Sequence, residues 1–124
     1  MPPEKLSELQ IDVIRVLWEK GSCSTAQVHQ AVQPVRELAY TTVATVLKRM
    51  DDRGIIESTK SGRELVYKAC LSERQIKQSM VSSMVGSLFQ GDARALVAHL
   101  VQESDLVEDD LSEIRSLLEN KNDQ

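Results

Sequence analysis

Apolar residues recur with the spacing of an α-helix in three separate stretches of the first 52 residues. In the first two stretches, a serine is followed three positions later by a glutamine, as in the capping box that opens a helix. These pairs are Ser7 with Gln10 and Ser24 with Gln27. We expect Pro34 to end the second helix, because proline disfavours helical geometry in the residue before it.

The third stretch begins near Tyr40, ends at Gly54 and separates into two faces. The apolar face consists of Val43, Val46, Leu47 and Met50. The polar face consists of Thr41, Thr42, Thr45, Lys48, Arg49 and Asp52. Because such a helix buries one face only, the pattern predicts that its threonines and cations stay accessible.

Two short runs typical of β-strands follow at residues 55–60 and 63–68, separated by Ser61 and Gly62. In the second run, Leu65 and Tyr67 fall on the same face, because side chains alternate along a strand. The pattern predicts a β-hairpin with Lys60 and Arg63 at its tip.

Helical spacing returns from Ser72 onward and predicts three more helices, with Gly91 as an interruption and a capping box starting at Asp105. The first half is short for a rich core of its own, and the second half is shorter still. Because most soluble oligomers are symmetric, a second copy of the chain is the simplest partner for the exposed stripes. The expected dimerisation residues are Ile76, Met80, Met84, Leu88, Leu96, Leu100, Leu111, Ile114 and Leu118.

The order of elements predicts a mainly α fold with a small β-hairpin wing. Residues 1–71 are expected to form a winged helix-turn-helix domain, and residues 72–124 a helical dimerisation domain. In that fold the third helix reads DNA, its threonines offering hydroxyls and methyl groups and its cations suiting guanine edges or phosphates. The expected DNA contacts are Thr25, Tyr40, Thr41, Thr42, Thr45, Lys48, Arg49, Lys60 and Arg63.

Two alternatives to DNA binding remain open at this point. The cations at Lys48 and Arg49 would also occur on an ordinary solvated helix face beside Asp51 and Asp52. Winged helices also serve as protein–protein adaptors, and the net charge of −4 is compatible with that role.

Composition narrows the class of protein. The chain of 124 residues has 41% apolar and 27% charged residues, as in an ordinary soluble domain. It has no apolar run near the roughly 20 residues that span a bilayer and no secretion signal, so we expect a cytoplasmic protein that does not insert into membranes.

The two halves of the chain differ in charge. Residues 1–70 carry a net charge of +1 and residues 71–124 carry −5. The acidic half is expected either to stay clear of phosphates or simply to add solubility.

The remaining reactive side chains indicate no catalytic or metal site. His29 and His99 lack ligand-spaced partners, so we expect no metal, no cofactor and no enzyme activity. We place His29 on the polar side of its helix and expect His99 to be a partly buried structural histidine. Cys23 precedes a helix N-cap, where a thiolate could be stabilised, whereas Cys70 is expected to be a small core residue.

The chain resembles the penicillinase-repressor family of bacterial winged-helix regulators, the BlaI, MecI and CopY type. The resemblance extends from about residue 7 to about residue 120, and its most specific part is the aromatic-Thr-Thr-Val start of the third helix. The matching stretches are residues 8–18, 39–50, 60–67, 95–100 and 111–118.

The resemblance implies a homodimeric repressor that binds a palindromic operator in double-stranded DNA. In many members of the family a membrane-bound sensor protease triggers cleavage of the repressor in the C-terminal region, which releases the operator, and the resemblance implies the same for this chain. The family's scissile Asn-Phe pair is matched here by His99 and Leu100, and the cysteine cluster of the copper-responsive branch is absent, because no cysteine follows Cys70.

Overall fold

The computed structural model of the chain describes residues 6–103 and 106–122. Asp105, which we expected to open the last helix, lies outside the described residues. The elements in chain order are α1 (Glu8–Lys20), β1 (Cys23–Ser24), α2 (Thr25–Val32), α3 (Tyr40–Asp52), β2 (Ile56–Ser61), β3 (Glu64–Ala69), α4 (Glu73–Ser87), α5 (Ala93–Glu103) and α6 (Glu108–Asn122). The predicted fold class, mainly α with a small β wing, is confirmed.

The predicted capping boxes form at the starts of α1 and α2. The Gln10 backbone N–H donates to the Ser7 hydroxyl at 3.1 Å, and the Ser7 N–H donates to Gln10 Oε1 at 3.0 Å. Ser24 and Gln27 repeat the arrangement. Each box satisfies two backbone donors that a helix start would otherwise leave unpaired, so the two starts are fixed locally.

The end of α2 corrects one expectation. The helix ends at Val32, close to Pro34, but Gln33 keeps right-handed helical dihedrals (φ −54°, ψ −43°). Pro34 therefore ends the helix because it has no backbone N–H to donate, and not because it changes the conformation of the residue before it. The chain turns instead through donation from the Val35 and Arg36 N–H groups to the Val32 carbonyl.

The hairpin belongs to a three-stranded antiparallel sheet of order β1-β3-β2. β1, which the sequence did not reveal, pairs Cys23 with Tyr67 of β3. Ser61 pairs with Glu64, so the turn residues are Gly62 and Arg63, one position later than expected. Gly62 adopts φ +64°, a conformation that glycine reaches without a steric penalty.

The residues of the buried apolar core belong to the part of the sequence from Leu6 to Ile76. The core joins α1, α2 and α3 to the sheet, and Ile14, Leu47 and Ile55 are all fully buried. The helices and the sheet of the first half supply most of this core, and Ile76 at the start of α4, which belongs to the second half, closes it.

The chain divides into two compact units, Met1–Ser83 and Met84–Gln124. The first unit contains the winged-helix elements together with most of α4, whose Ile76 is buried and whose Met80 packs against the core. In the second unit, none of the described apolar side chains is fully buried.

Within residues 6–103 and 106–122, no helix combines the length and the apolar character needed to cross a membrane. Over the same part of the chain, no three His, Cys, Asp or Glu side chains come together in a way that could hold a metal ion.

Candidate nucleic-acid interface

The helix α3 presents a polar surface opposite the core. Its buried side chains are Val43, Leu47 and Met50. Its expected contact residues Thr41, Thr42, Thr45, Lys48 and Arg49 are all exposed. Thr45 Oγ1 donates to the Thr41 carbonyl at 2.9 Å, so its oxygen can still accept a hydrogen bond from another donor.

Lys48 is an accessible cation of this surface. Its Nζ lies 3.6 Å from Asp52 Oδ1, and the two side chains are 76% and 64% exposed. An ion pair this exposed contributes at most about 1 kcal/mol, so Lys48 can exchange Asp52 for a phosphate or a base edge at little cost.

The start of α3 is open, and the loop before it is held in place. Ala39 occupies the N-cap and supplies no side-chain hydrogen bond. The Leu38 carbonyl accepts from Gln33 Nε2 at 2.9 Å and lies 2.8 Å from His29 Nε2. Because a helix N-terminus carries partial positive charge and free N–H groups, this end of α3 favours an anion.

A second anchor of that loop was not foreseen from the sequence. Arg36 Nε donates to Asp12 Oδ2 of α1, and Arg36 also lies 3.4 Å from Glu8. The hydrogen bond to Asp12 raises the pKa of Arg36 above its ordinary value. The contact joins residues 24 positions apart, and no local pattern marks such a pair.

A side-chain hydrogen bond joins the wing, which is the hairpin of β2 and β3, to α3. Ser58 Oγ of β2 donates to Asp51 Oδ2 of α3 at 2.7 Å. The expected contact residues Lys60 and Arg63 are exposed beside the tip of this hairpin. The bond holds the wing and α3 together as one surface.

A cleft of about 250 Å³ lies where the starts of α2 and α3 meet the wing. It is lined by Ser24, Thr25, Ala26, Tyr40, Arg63, Glu64 and Leu65. The fold thus brings together Thr25, Tyr40 and Arg63, whereas Lys60 is not part of the lining. Glu64 and Leu65 were missed, although alternation along β3 already placed Leu65 on the face of the buried Tyr67.

These features, a helix-turn-helix with an open polar α3 and a cationic wing, are those of a DNA-reading surface. The sequence model of the penicillinase repressor family, described as "Penicillinase repressor", matches residues 6–120. The chain belongs to the penicillinase repressor family.

Individual relatives of this repressor cover almost its whole length. The methicillin resistance regulatory protein MecI of Mammaliicoccus sciuri is 24% identical over 94% of this chain and 95% of its own. The penicillinase repressor of Staphylococcus aureus is 25% identical over 92% of this chain and 90% of its own.

A solved structure in the same family includes DNA. BlaI of Bacillus licheniformis, in its monomeric form with the blaP half-operator, superimposes with a TM-score of 0.51 and 25% identity over 57% of this chain and 87% of that one. Fold and family together identify a DNA-binding transcriptional repressor, and the adaptor alternative is not favoured. The family is one of repressors and not of enzymes.

Both cysteines of the repressor differ from expectation. Cys23 is buried, and this burial raises the pKa of its thiol, although Lys20 partly opposes the effect; the shift is opposite to the one that would stabilise a thiolate. Cys70 is exposed instead of lying in the core. It follows the end of β3 on the face of the exposed Lys68, and desolvation and the carboxylate of Glu57 raise its pKa.

The two histidines hold different positions. His29 is half-buried between α2 and the loop before α3, with its ring 5.7 Å from the ring of Tyr40. His99 is exposed on α5, where we expected partial burial, although its ring lies 6.2 Å from that of Phe89. Helical neighbours alone do not bury a side chain; a second packed layer is required.

The residues expected at the dimer interface differ in how deeply they are buried within the chain. Ile76 is 4% exposed in the first unit, so its side chain is already used within its own chain. Met80 and Leu96 are half-buried. The remaining members of the set, Met84, Leu88, Leu100, Leu111, Ile114 and Leu118, are exposed.

Proposed function

We propose that the chain represses transcription as a homodimer, binding a palindromic operator with α3 and the wing of each copy. The observation that carries the proposal is that the α3 threonines, Lys48 and the wing cation Arg63 are all exposed to solvent. The BlaI relative bound to a half-operator supports the choice of ligand. In each half-site, Thr42, Thr45 and Lys48 would read bases, while Lys60, Arg63 and the helix N-termini would hold phosphates.

We further propose that residues 1–71 bind the DNA and residues 72–124 join the two copies. The exposed apolar side chains of residues 84–124 support a role for this part of the chain in joining the copies, because single-chain soluble proteins seldom leave so many of them in water. With two-fold symmetry, the two α3 helices would enter successive major grooves about 34–36 Å apart.

The proposal is tested by selecting bound duplexes from a random DNA pool and measuring their Kd by fluorescence polarisation. We expect a palindrome to bind at least about 10³-fold more tightly than a scrambled duplex. Raising the salt concentration from about 50 to about 200 mM should weaken binding by about 10³-fold or more, because released counterions drive the association. Equal affinity for palindromic and scrambled duplexes would contradict the proposal.

The dimer itself can be tested with the variant Ile114→Asp. Ile114 is 43% exposed within the chain, so the change leaves the first unit's core untouched. A buried, unpaired carboxylate in a dimer interface costs several kcal/mol, which should shift the protein to monomers in analytical ultracentrifugation. Operator affinity should fall with it, because a monomer binds one half-site only.

The control for this variant is Glu113→Gln on the same helix, which changes an exposed charge and should leave the dimer intact. A dimer that persists in Ile114→Asp would exclude this face of α6 from the interface.

Release by a sensor protease is proposed on the family resemblance, with His99 and Leu100 as the expected bond. Both residues are exposed but helical on α5. Because proteolysis acts on locally opened segments, cleavage here requires α5 to unfold locally. The proposed repressor acts in the cytoplasm, because it must reach its operator DNA.

A further inference from the structure

The helix α3 starts without the cap that opens α1, α2 and α4. Each of those three helices begins with a serine and a glutamine that satisfy each other's backbone N–H groups. Ala39 precedes α3 and has no polar side chain to do the same. Any constraint on the start of α3 therefore comes from outside the helix.

Two side chains of α2 and its C-cap supply such a constraint by sharing one acceptor. Gln33 Nε2 donates to the Leu38 carbonyl at 2.9 Å, and His29 Nε2 lies 2.8 Å from the same oxygen. His29 and Gln33 are four positions apart, so they lie on one face of the helix. Because a carbonyl oxygen only accepts, His29 carries a proton on Nε2 and donates it.

The shared acceptor belongs to the peptide unit that leads into α3. The carbon of the Leu38 carbonyl is bonded to the nitrogen of Ala39, the N-cap residue. The side chain of Leu38 also packs against the buried core, so Leu38 is held at both its side chain and its backbone. Since a peptide unit is planar, fixing this oxygen fixes the direction in which the first turn of α3 starts.

A ring contact joins His29 to the first residue of α3 as well. The imidazole lies 5.7 Å from the ring of Tyr40, with an angle of 74° between the two planes. This edge-to-face arrangement is one that aromatic pairs prefer. Tyr40 is 50% exposed and lines the cleft beside Thr25 and Arg63. The half-buried His29 thus contacts both the loop before α3 and a residue of the proposed DNA-binding surface.

We propose that His29 is a positioning residue for DNA binding: by donating to the Leu38 carbonyl it fixes the first turn of α3, so that Thr42 meets its base pair. This role rests on the proposed function and extends it to a residue that does not itself touch the DNA. The expected effect is local. Reading of base pairs by Thr42 depends on His29, whereas reading by Lys48, further along α3, does not.

Two substitutions separate the hydrogen bond from the ring contact. His29→Phe keeps an aromatic ring beside Tyr40 and removes the donor, whereas His29→Gln removes the ring and keeps an N–H donor. Kd for the selected palindrome is measured by polarisation, and stability by urea unfolding. We expect His29→Phe to bind about tenfold more weakly, from about threefold at each of the two half-sites. His29→Gln should bind within about twofold of wild type, because the hydrogen bond is restored.

The local effect is measured with palindromes that carry one changed base pair, placed symmetrically in both half-sites. Such a change should weaken wild-type binding by about tenfold or more at each pair that is read. Thr42→Ala and Lys48→Ala identify the pairs that these two side chains read, because each variant loses discrimination there. In His29→Phe, discrimination should fall at the Thr42 pair and persist at the Lys48 pair. Partial unfolding alone lowers the active fraction and leaves both ratios unchanged.

A second variant and a control complete the design. Gln33→Leu removes the other donor to the same carbonyl and should also lose discrimination at the Thr42 pair, which decides the matter if His29→Phe does not fold. The matched control is Gln30→Leu, which makes the same change at an exposed position of α2 outside this contact. It should leave both Kd and discrimination unchanged.

Four results would overturn the role of His29 alone. They are unchanged binding by His29→Phe, a His29→Gln variant that binds as weakly as His29→Phe, an equal loss of discrimination at every base pair, and a Thr42→Ala variant that loses discrimination at none. A wild-type protein that prefers no palindrome overturns the proposed function itself, and the role of His29 falls with it.

Discussion

Replacing Lys48 and Arg63 together with alanine is expected to weaken operator binding by the proposed dimer about 10³-fold. Both side chains are exposed, on α3 and at the wing tip respectively. A charged contact to a phosphate or base edge contributes roughly 1–3 kcal/mol, and contacts on separate elements add approximately. The proposed dimer loses four cations, two of them the phosphate-binding Arg63 side chains, so the slope of log Kd against log salt should fall by about two to four.

The matched control is the double variant Lys77→Ala with Arg94→Ala, which removes the same charge from exposed positions on α4 and α5. Its affinity should stay close to wild type, because these cations lie outside the α3 and wing surface. Polarisation titrations at two or more salt concentrations measure both effects. An equal loss in the control, or no loss in the Lys48 and Arg63 variant, would show that the DNA face is elsewhere.

Leu47→Ala is expected to produce the largest loss of stability that we predict. Leu47 is fully buried on the inner face of α3. Truncating a buried leucine removes transfer free energy and leaves a cavity, at a cost of about 2–5 kcal/mol. A small domain has only about 5–15 kcal/mol in total, so its Tm should fall by about 10 °C or more.

The control is Leu65→Ala, which makes the same substitution at an exposed leucine. Leu65 is 48% exposed on β3, so less transfer free energy is lost and no closed cavity forms. Thermal unfolding followed by circular dichroism, at one fixed protein concentration, measures both variants. If both leucines lowered Tm equally, burial of Leu47 would not account for the stability of α3.

Local patterns predicted much of this repressor, because helix starts and helix faces depend on neighbours within a few residues. The capping boxes at Ser7 and Ser24 needed only a partner three positions away. The division of α3 into a buried and an exposed face followed from helical periodicity alone. The resemblance to a repressor family came from the same short stretches.

Contacts between distant residues could not be predicted in this way. The strand β1 exists because Cys23 and Ser24 pair with β3, and two residues carry no alternation to detect. Ile76 has the spacing of a dimer stripe yet closes the first unit's core, since periodicity identifies an apolar face but not what covers it. Cys70 was misplaced for a related reason, because the residue after a strand is buried only if another layer covers that face.

Local sequence patterns and tertiary packing both contribute to the proposed DNA-binding surface. The order of amino acids specified α3, its threonines and the cations of the wing, since each of these follows from spacing along the chain. Packing of α2, α3 and the wing brought Thr25, Tyr40 and Arg63 into one cleft. These residues lie as far as 38 positions apart in the chain. Their meeting depends on burial of the shared core, which no short segment can achieve alone.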